Sequence, residues 1–279
     1  MTYSADISRA NPSSFLFLID QSGSMEDPFG SGDSNKRKKD GVADAINRLL
    51  QNLVIKCAKQ EGVRDYYHIG VVGYGATMGP AFGGALSGKE LVPISEVAVN
   101  PTRVEERTKN IDDGAGGLVD QQVKFPIWFE PVANGGTPMC QALTYAEKVM
   151  KGWIDSHPES FPPIIINITD GEATDGDASI PARQLSQLAT TDGNVLLFNI
   201  HLSSRSGASV EYPATDVHLP DEFSKLLFNM SSVLPDHMQT IAQQEGFSVS
   251  PTSRGFVFNA DMVSVIKFLD IGTRPSNLR

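Results

Sequence analysis

Asp20, Ser22 and Ser24 stand together in "FLFLIDQSGSM", residues 15–25, where an apolar run stops at a carboxylate and two hydroxyls follow at a spacing of two. Farther along, Thr137 sits in "NGGTPM" and Asp170 closes "PPIIINITD". Three hydroxyls and two carboxylates, with no His or Cys beside them, are hard oxygen donors. They suit magnesium, with manganese as the second choice, ahead of zinc. Two carboxylates turned toward each other repel, and a divalent cation between them removes that cost. Because hydroxyls are neutral, they leave part of the metal's charge unquenched, and one further anion is attracted.

The elements around these residues have to bring them to one place. Runs at "FLFLID", "YYHIGVVGYG", "PPIIINITD" and "NVLLFNIHL" are rich in Ile, Val and Phe without strict alternation, as strands covered on both faces are. Between them the period turns helical: Val42, Ile46, Leu49, Leu50, Leu53, Val54 and Cys57 fall on one stripe, and Met139, Ala142, Leu143, Ala146, Val149, Met150 and Trp153 on another. Ile180, Leu185 and Leu188 make a weaker third. Alternation of strand and helix predicts an α/β fold, a doubly wound, mostly parallel sheet with helices on both faces. In such a sheet ligands bind at the carboxyl ends of the strands, where Asp20 and Asp170 both fall. Pro138 is suited to a first helical position, which makes Thr137 the expected cap of the helix that follows.

One domain over residues 1–279 is expected, with its core at about 14–270. A polar stretch at 97–124 reads as an inserted excursion or lid, and Gly, Pro and Ser at 203–220 read as a long loop. A helical piece near 237–243, a short strand at "GFVFNA" and a last helix at about 262–269 complete the chain.

Acidic residues outnumber basic ones, 33 to 23, for a net charge of −10, which disfavours nucleic acid and anionic membranes as partners. No run approaches the ~20 apolar residues that span a bilayer, and the N-terminal segment lacks the pattern of a leader, so a cytoplasmic protein is expected. Cys57 and Cys140 show no paired spacing and read as small hydrophobes. The five histidines have no ligand spacing and read as surface or satisfied core residues.

Taken in order, Asp20-x-Ser22-x-Ser24, Gly-Gly-Thr137-Pro and Thr-Asp170-Gly-Glu-x-Thr-Asp resemble the three-part metal-ion-dependent adhesion site of the von Willebrand factor type A domain. The resemblance runs from about residue 14 to 202 and fades in the last quarter. It implies that Ser22, Ser24 and Thr137 bind the metal through their hydroxyls and that Asp20 and Asp170 act mainly through ordered waters. It further implies that the sixth position is offered to a Glu or Asp of a partner protein. The order of elements most resembles the bacterial, tellurium-resistance-associated subgroup, whose stand-alone relatives work with ATPase, kinase or phosphatase partners. The stretch at 97–124 departs from compact members.

"NKRKKD", residues 35–40, reads as a solvated basic surface near the metal rim, able at most to guide an acidic partner. "DPFGSGDS", beside the first motif, reads as a loop shaping access. "TDGEATDGD" lacks the register of a calcium loop, so Glu172, Asp175 and Asp177 are expected to cap the helix after them. "GSGDSNK" and "GYGATM" miss the glycines of phosphate-binding loops. The enzymatic alternative is a magnesium-dependent phosphohydrolase with Asp20 as nucleophile. Haloacid-dehalogenase-like phosphatases need a second aspartate two residues on, and here that position is Ser22. A third reading is an adaptor that uses no metal.

Overall fold

The computed structural model describes residues 3–28, 36–112, 118–202, 209–260 and 262–273. The access loop expected at 27–34 therefore falls largely outside the described residues, as does the part of the 203–220 loop at 203–208.

Five strands form a parallel core: β1 (Ser13–Asp20), β4 (Tyr67–Tyr74), β9 (Ile164–Thr169), β10 (Leu196–Leu202) and β12 (Phe256–Ala260). Within this core the order is β12-β10-β9-β1-β4. Its edges are antiparallel additions: β11 (Val210–Glu211) on β12, and β5 (Met78–Pro80) and β6 (Val92–Pro93) on β4. A small hairpin of β2 (Ala58–Lys59) and β3 (Gly62–Val63) stands apart.

Every residue of β1 is buried, as both-face coverage requires. Phe15, Phe17 and Ile19 pack on the side of α1 (Lys38–Cys57), α2 (Ile94–Val99), α6 (Asp236–Gln244) and α7 (Met262–Gly272). Leu16 and Leu18 pack on the side of α3 (Met139–Ser156), α4 (Ser179–Gln187) and α5 (Glu222–Met230). The expected α/β sandwich is the observed one. All seven residues of the predicted α3 stripe are buried, each large aliphatic contributing about 1.5–3 kcal/mol on leaving water. The expected α4 stripe holds at Leu185, which is buried, and at Leu188, which packs on the same core, but not at Ile180, which is 57% exposed; Pro181 and Ala182 complete the buried face.

The stretch at 97–124 is an excursion, as expected, and its described residues form regular structure. After α2 the chain forms a two-stranded antiparallel ribbon, β7 (Arg103–Asp112) against β8 (Leu118–Ile127), in unbroken register from Arg103↔Ile127 to Asp112↔Leu118. Asn47, buried in α1, anchors the segment that follows the ribbon. Its Oδ1 accepts from the backbone N–H groups of Trp128 and Phe129, and its Nδ2 donates to the carbonyl of Phe129. Cys57 is fully buried, its thiol pushed up to about 12 by desolvation, while Cys140 is half-buried. Among the described residues no helix is long and apolar enough to cross a membrane.

Candidate metal centre

The chain leaves β1, crosses to β4 on one side of it, and later returns as β9 on the other. Where consecutive connections diverge in this way, the carboxyl ends of β1 and β9 border an open crevice. Asp20 is the last residue of β1, and Asp170 follows β9 directly.

Asp20 is buried, and both of its oxygens are held. Oδ1 accepts from the backbone N–H of Ser22 at 2.8 Å and Oδ2 from Thr169 Oγ1 at 2.6 Å. Desolvation pushes this carboxyl above its ordinary range, the hydrogen bonds from Ser22 and Thr169 oppose the rise, and the charge of Asp170 adds to it. Among the described residues no ammonium or guanidinium is paired with Asp20. A short 3₁₀ turn at Gly23–Glu26 bends the chain, and the two serines face each other, with Ser22 Oγ 3.0 Å from Ser24 Oγ. Ser24 Oγ then donates to Asp170 Oδ1 at 2.7 Å, which joins two loops 146 residues apart.

The third loop is stitched to the first through backbone bonds. The N–H of Gly23 donates to the carbonyl of Gly135 at 2.9 Å, and that of Asn134 to the carbonyl of Gln21 at 2.6 Å. Gly135 has φ +85°, and a Cβ there would lie 2.5 Å from the backbone nitrogen of Ala76, so only glycine fits this crossing. Thr137 arrives beside the serines: a Cβ built on Gly171 would meet Thr137 Oγ1 at 3.6 Å and Ser24 Oγ at 3.9 Å. All five residues singled out in the sequence are thus brought to one corner of the sheet. Asp20, Ser22 and Thr137 form a buried floor, with Ser24 and Gly136 exposed at the rim.

Three expectations about this corner are corrected. Thr137 does not cap α3: Pro138 occupies the cap position, and no side chain of that residue bonds there. Asp175 takes over, its carboxylate accepting from the N–H groups of Cys140 and Gln141, which are orphan donors of the first turn. Asp175 therefore serves the helix before it, while Asp177 caps α4 through Ser179 as foreseen. The basic cluster is corrected as well. Lys38 is 4% exposed and points inward, its Nζ donating to Asp170 Oδ2 at 2.6 Å. Lys36 pairs with Asp44, Lys39 with Glu26, and Arg37 donates to the Glu26 carbonyl. Lys38 is the site residue that sequence reasoning missed. Only its place at the start of the helix after the first motif could have signalled it.

The donor set fits a hard divalent cation on two counts. Its oxygens are hydroxyl and carboxylate alone, and the buried Asp20 carboxylate lacks a cationic partner among the described residues. Among the described residues no group of three or more His, Cys, Asp and Glu gathers into a softer or carboxylate-rich metal cage.

No protein-family model matches this chain, and no curated protein matches it. Among solved structures, a von Willebrand factor type A protein from Catenulispora acidiphila is 15% identical with a TM-score of 0.47, over 95% of this chain and 43% of that one. The PilB minor pilin from Streptococcus sanguinis is 10% identical with a TM-score of 0.45, over 94% and 60% of the two chains. The von Willebrand factor domain of the type V pili tip protein Mfa5 from Porphyromonas gingivalis is 16% identical with a TM-score of 0.33, over 58% and 39%. The chain spans less than two-thirds of the length of each of these structures.

Proposed function

We propose that this chain, taken as one domain over residues 1–279, is a von Willebrand factor type A protein that binds magnesium at a metal-ion-dependent adhesion site and uses the ion to grip an acidic side chain of another protein. The observation that carries this reading is the convergence of three distant loops on one oxygen cluster, Ser22 Oγ to Ser24 Oγ to Asp170, floored by Asp20 and flanked by Thr137. Ser22, Ser24 and Thr137 would hold the ion by their hydroxyls, and Asp20 and Asp170 through waters; manganese would be accepted in its place. The bound ion supplies a positive point charge at the rim, which attracts a Glu or Asp. Exposure of Ser24 and Gly136 leaves room for such a visitor. The reading includes a cytoplasmic setting, in which Cys57 and Cys140 stay reduced, and a bacterial partner of the ATPase, kinase or phosphatase kind. Placement with the tellurium-resistance-associated subgroup belongs to the same reading.

The phosphohydrolase alternative is the weaker one. A nucleophilic Asp20 would have to reach substrate, yet it is 1% exposed and both of its oxygens are occupied by Ser22 and Thr169. Isothermal titration with magnesium on wild type and Asp20→Ala is the test, joined to a pull-down with and without chelator. Magnesium heats lost in Asp20→Ala, and a partner lost on chelation, are expected. Equal heats from the two proteins would remove the metal reading.

A further inference from the structure

We infer that Lys38 is a tethered cation that neutralises Asp170 while the site lacks metal and gives way when a divalent ion enters, so that this one residue holds magnesium affinity down. The inference rests on the metal-site reading above. Lys38 is the first residue of α1, and its ammonium reaches Asp170 Oδ2 at 2.6 Å with both side chains nearly sealed from solvent, 5% and 1% exposed. Oδ1 of the same carboxylate faces Ser24, so the two oxygens of Asp170 are divided between the hydroxyl pair and the lysine. With Lys38 in place the formal charge of the cluster is that of Asp20 alone. A carboxylate already matched by a buried ammonium offers less to an incoming cation, because the new interaction has to replace an existing one.

The lysine also has somewhere to go. Asp27 Oδ2 lies 3.9 Å from the same Nζ, and the Asp27 carboxylate is 58% exposed. The backbone N–H of Lys38 donates to the Asp27 carbonyl at 3.0 Å, so the stem of the side chain stays anchored while its head changes partner. Movement of the ammonium from Asp170 to Asp27 frees the carboxylate without leaving the lysine unpaired.

Titration of magnesium into wild type, Lys38→Met and Asp20→Ala separates the possibilities. Lys38→Met is expected to bind at least about tenfold more tightly than wild type, a change of ~1.4 kcal/mol. Where Lys38→Met does not fold, Lys38→Gln takes its place. A footprint on the unaltered protein reads the exchange directly: acetic anhydride labelling of Lys38, followed by mass spectrometry, is expected to speed up several-fold when magnesium is bound. Lys38→Met affinity equal to or below wild type, or Lys38 labelling unchanged at saturating magnesium, overturns the exchange while the metal site stands. Absence of magnesium heat from wild type and Lys38→Met alike overturns the metal site itself, and the exchange with it.

Discussion

Thr137 and Asp175 divide two tasks that one residue was expected to perform. The helix cap is supplied by Asp175, which accepts from Cys140 and Gln141, and this leaves the Thr137 hydroxyl beside Ser24 free of capping duty. Paired substitutions therefore come apart. Thr137→Val keeps the shape of the side chain and removes only its oxygen, so magnesium affinity is expected to fall at least about tenfold, with a stability change under ~0.5 kcal/mol. Asp175→Ala leaves orphan donors in the first turn of α3 and is expected to cost about 1 kcal/mol while magnesium binding is little changed. Titration calorimetry and urea unfolding on both variants check this; a Thr137→Val protein that unfolds early yet binds magnesium normally would reverse the assignment. Asp20 and Asp170 were legible because they close strands, and Ser22, Ser24 and Thr137 because they lie in short loops beside a strand end or just before a helix, where spacing along the chain translates into position. Lys38 was not legible, since a lysine among lysines gives no sign of which one turns inward.

The long strands and helices of the sandwich were legible from their apolar periods, whereas the largely polar ribbon of β7 and β8 was not, although Phe125 and Ile127 of β8 are buried. The ribbon of β7 and β8 presents charge where a core strand presents Val and Ile. Arg103, Glu105 and Arg107 alternate along β7 and pair among themselves and with Asp44 of α1, so no apolar period exists to be found. Its attachment to α1 runs through the Arg107–Asp44 ion pair, through Gln51 Nε2 donating to the Lys124 carbonyl, and through Asn47 holding residues 128 and 129. Asn47 bears the larger share, since its amide satisfies three backbone groups in a region closed to water. Asn47→Ala would strand all of them and is expected to cost about 3 kcal/mol, against less than ~1 kcal/mol for Arg107→Ala at the part-exposed ion pair. Urea midpoints for the two variants decide it, and equal losses would mean that the ribbon is held by charge. The next turn of the chain leads into the Gly135 loop, so the same asparagine steadies the approach to the metal corner.

At the scale of the whole molecule, three partly buried imidazoles, His68, His201 and His237, shape the response to acid. Burial pushes the His201 imidazole down to about 4, and desolvation lowers His68 and His237 as well. None of the three was expected to be unsatisfied, yet His201 Nδ1 and His237 Nε2 are buried without a hydrogen-bond partner among the described residues. His201 stacks on Phe258 at 4.8 Å, an apolar setting that favours the neutral ring. In the unfolded chain the same imidazole titrates near ~6.5, so below that pH the unfolded state takes up a proton that the native state refuses. The stability tied to His201 is therefore complete above about 6.5 and is lost as pH falls toward 4. Relief of the net charge of −10 works in the opposite direction, but it is spread over exposed groups and screened beyond ~8 Å at physiological salt. The localised term is expected to win, with unfolding free energy about 2 kcal/mol lower at pH 5 than at pH 7 from His201 alone. His201→Gln removes that proton while leaving the surface charge as it is, so the difference between variant and wild type isolates it. A variant whose stability falls between pH 7 and pH 5 as steeply as the wild type would place the acid sensitivity elsewhere, with His68 beside Trp153 and His157 the next group to substitute.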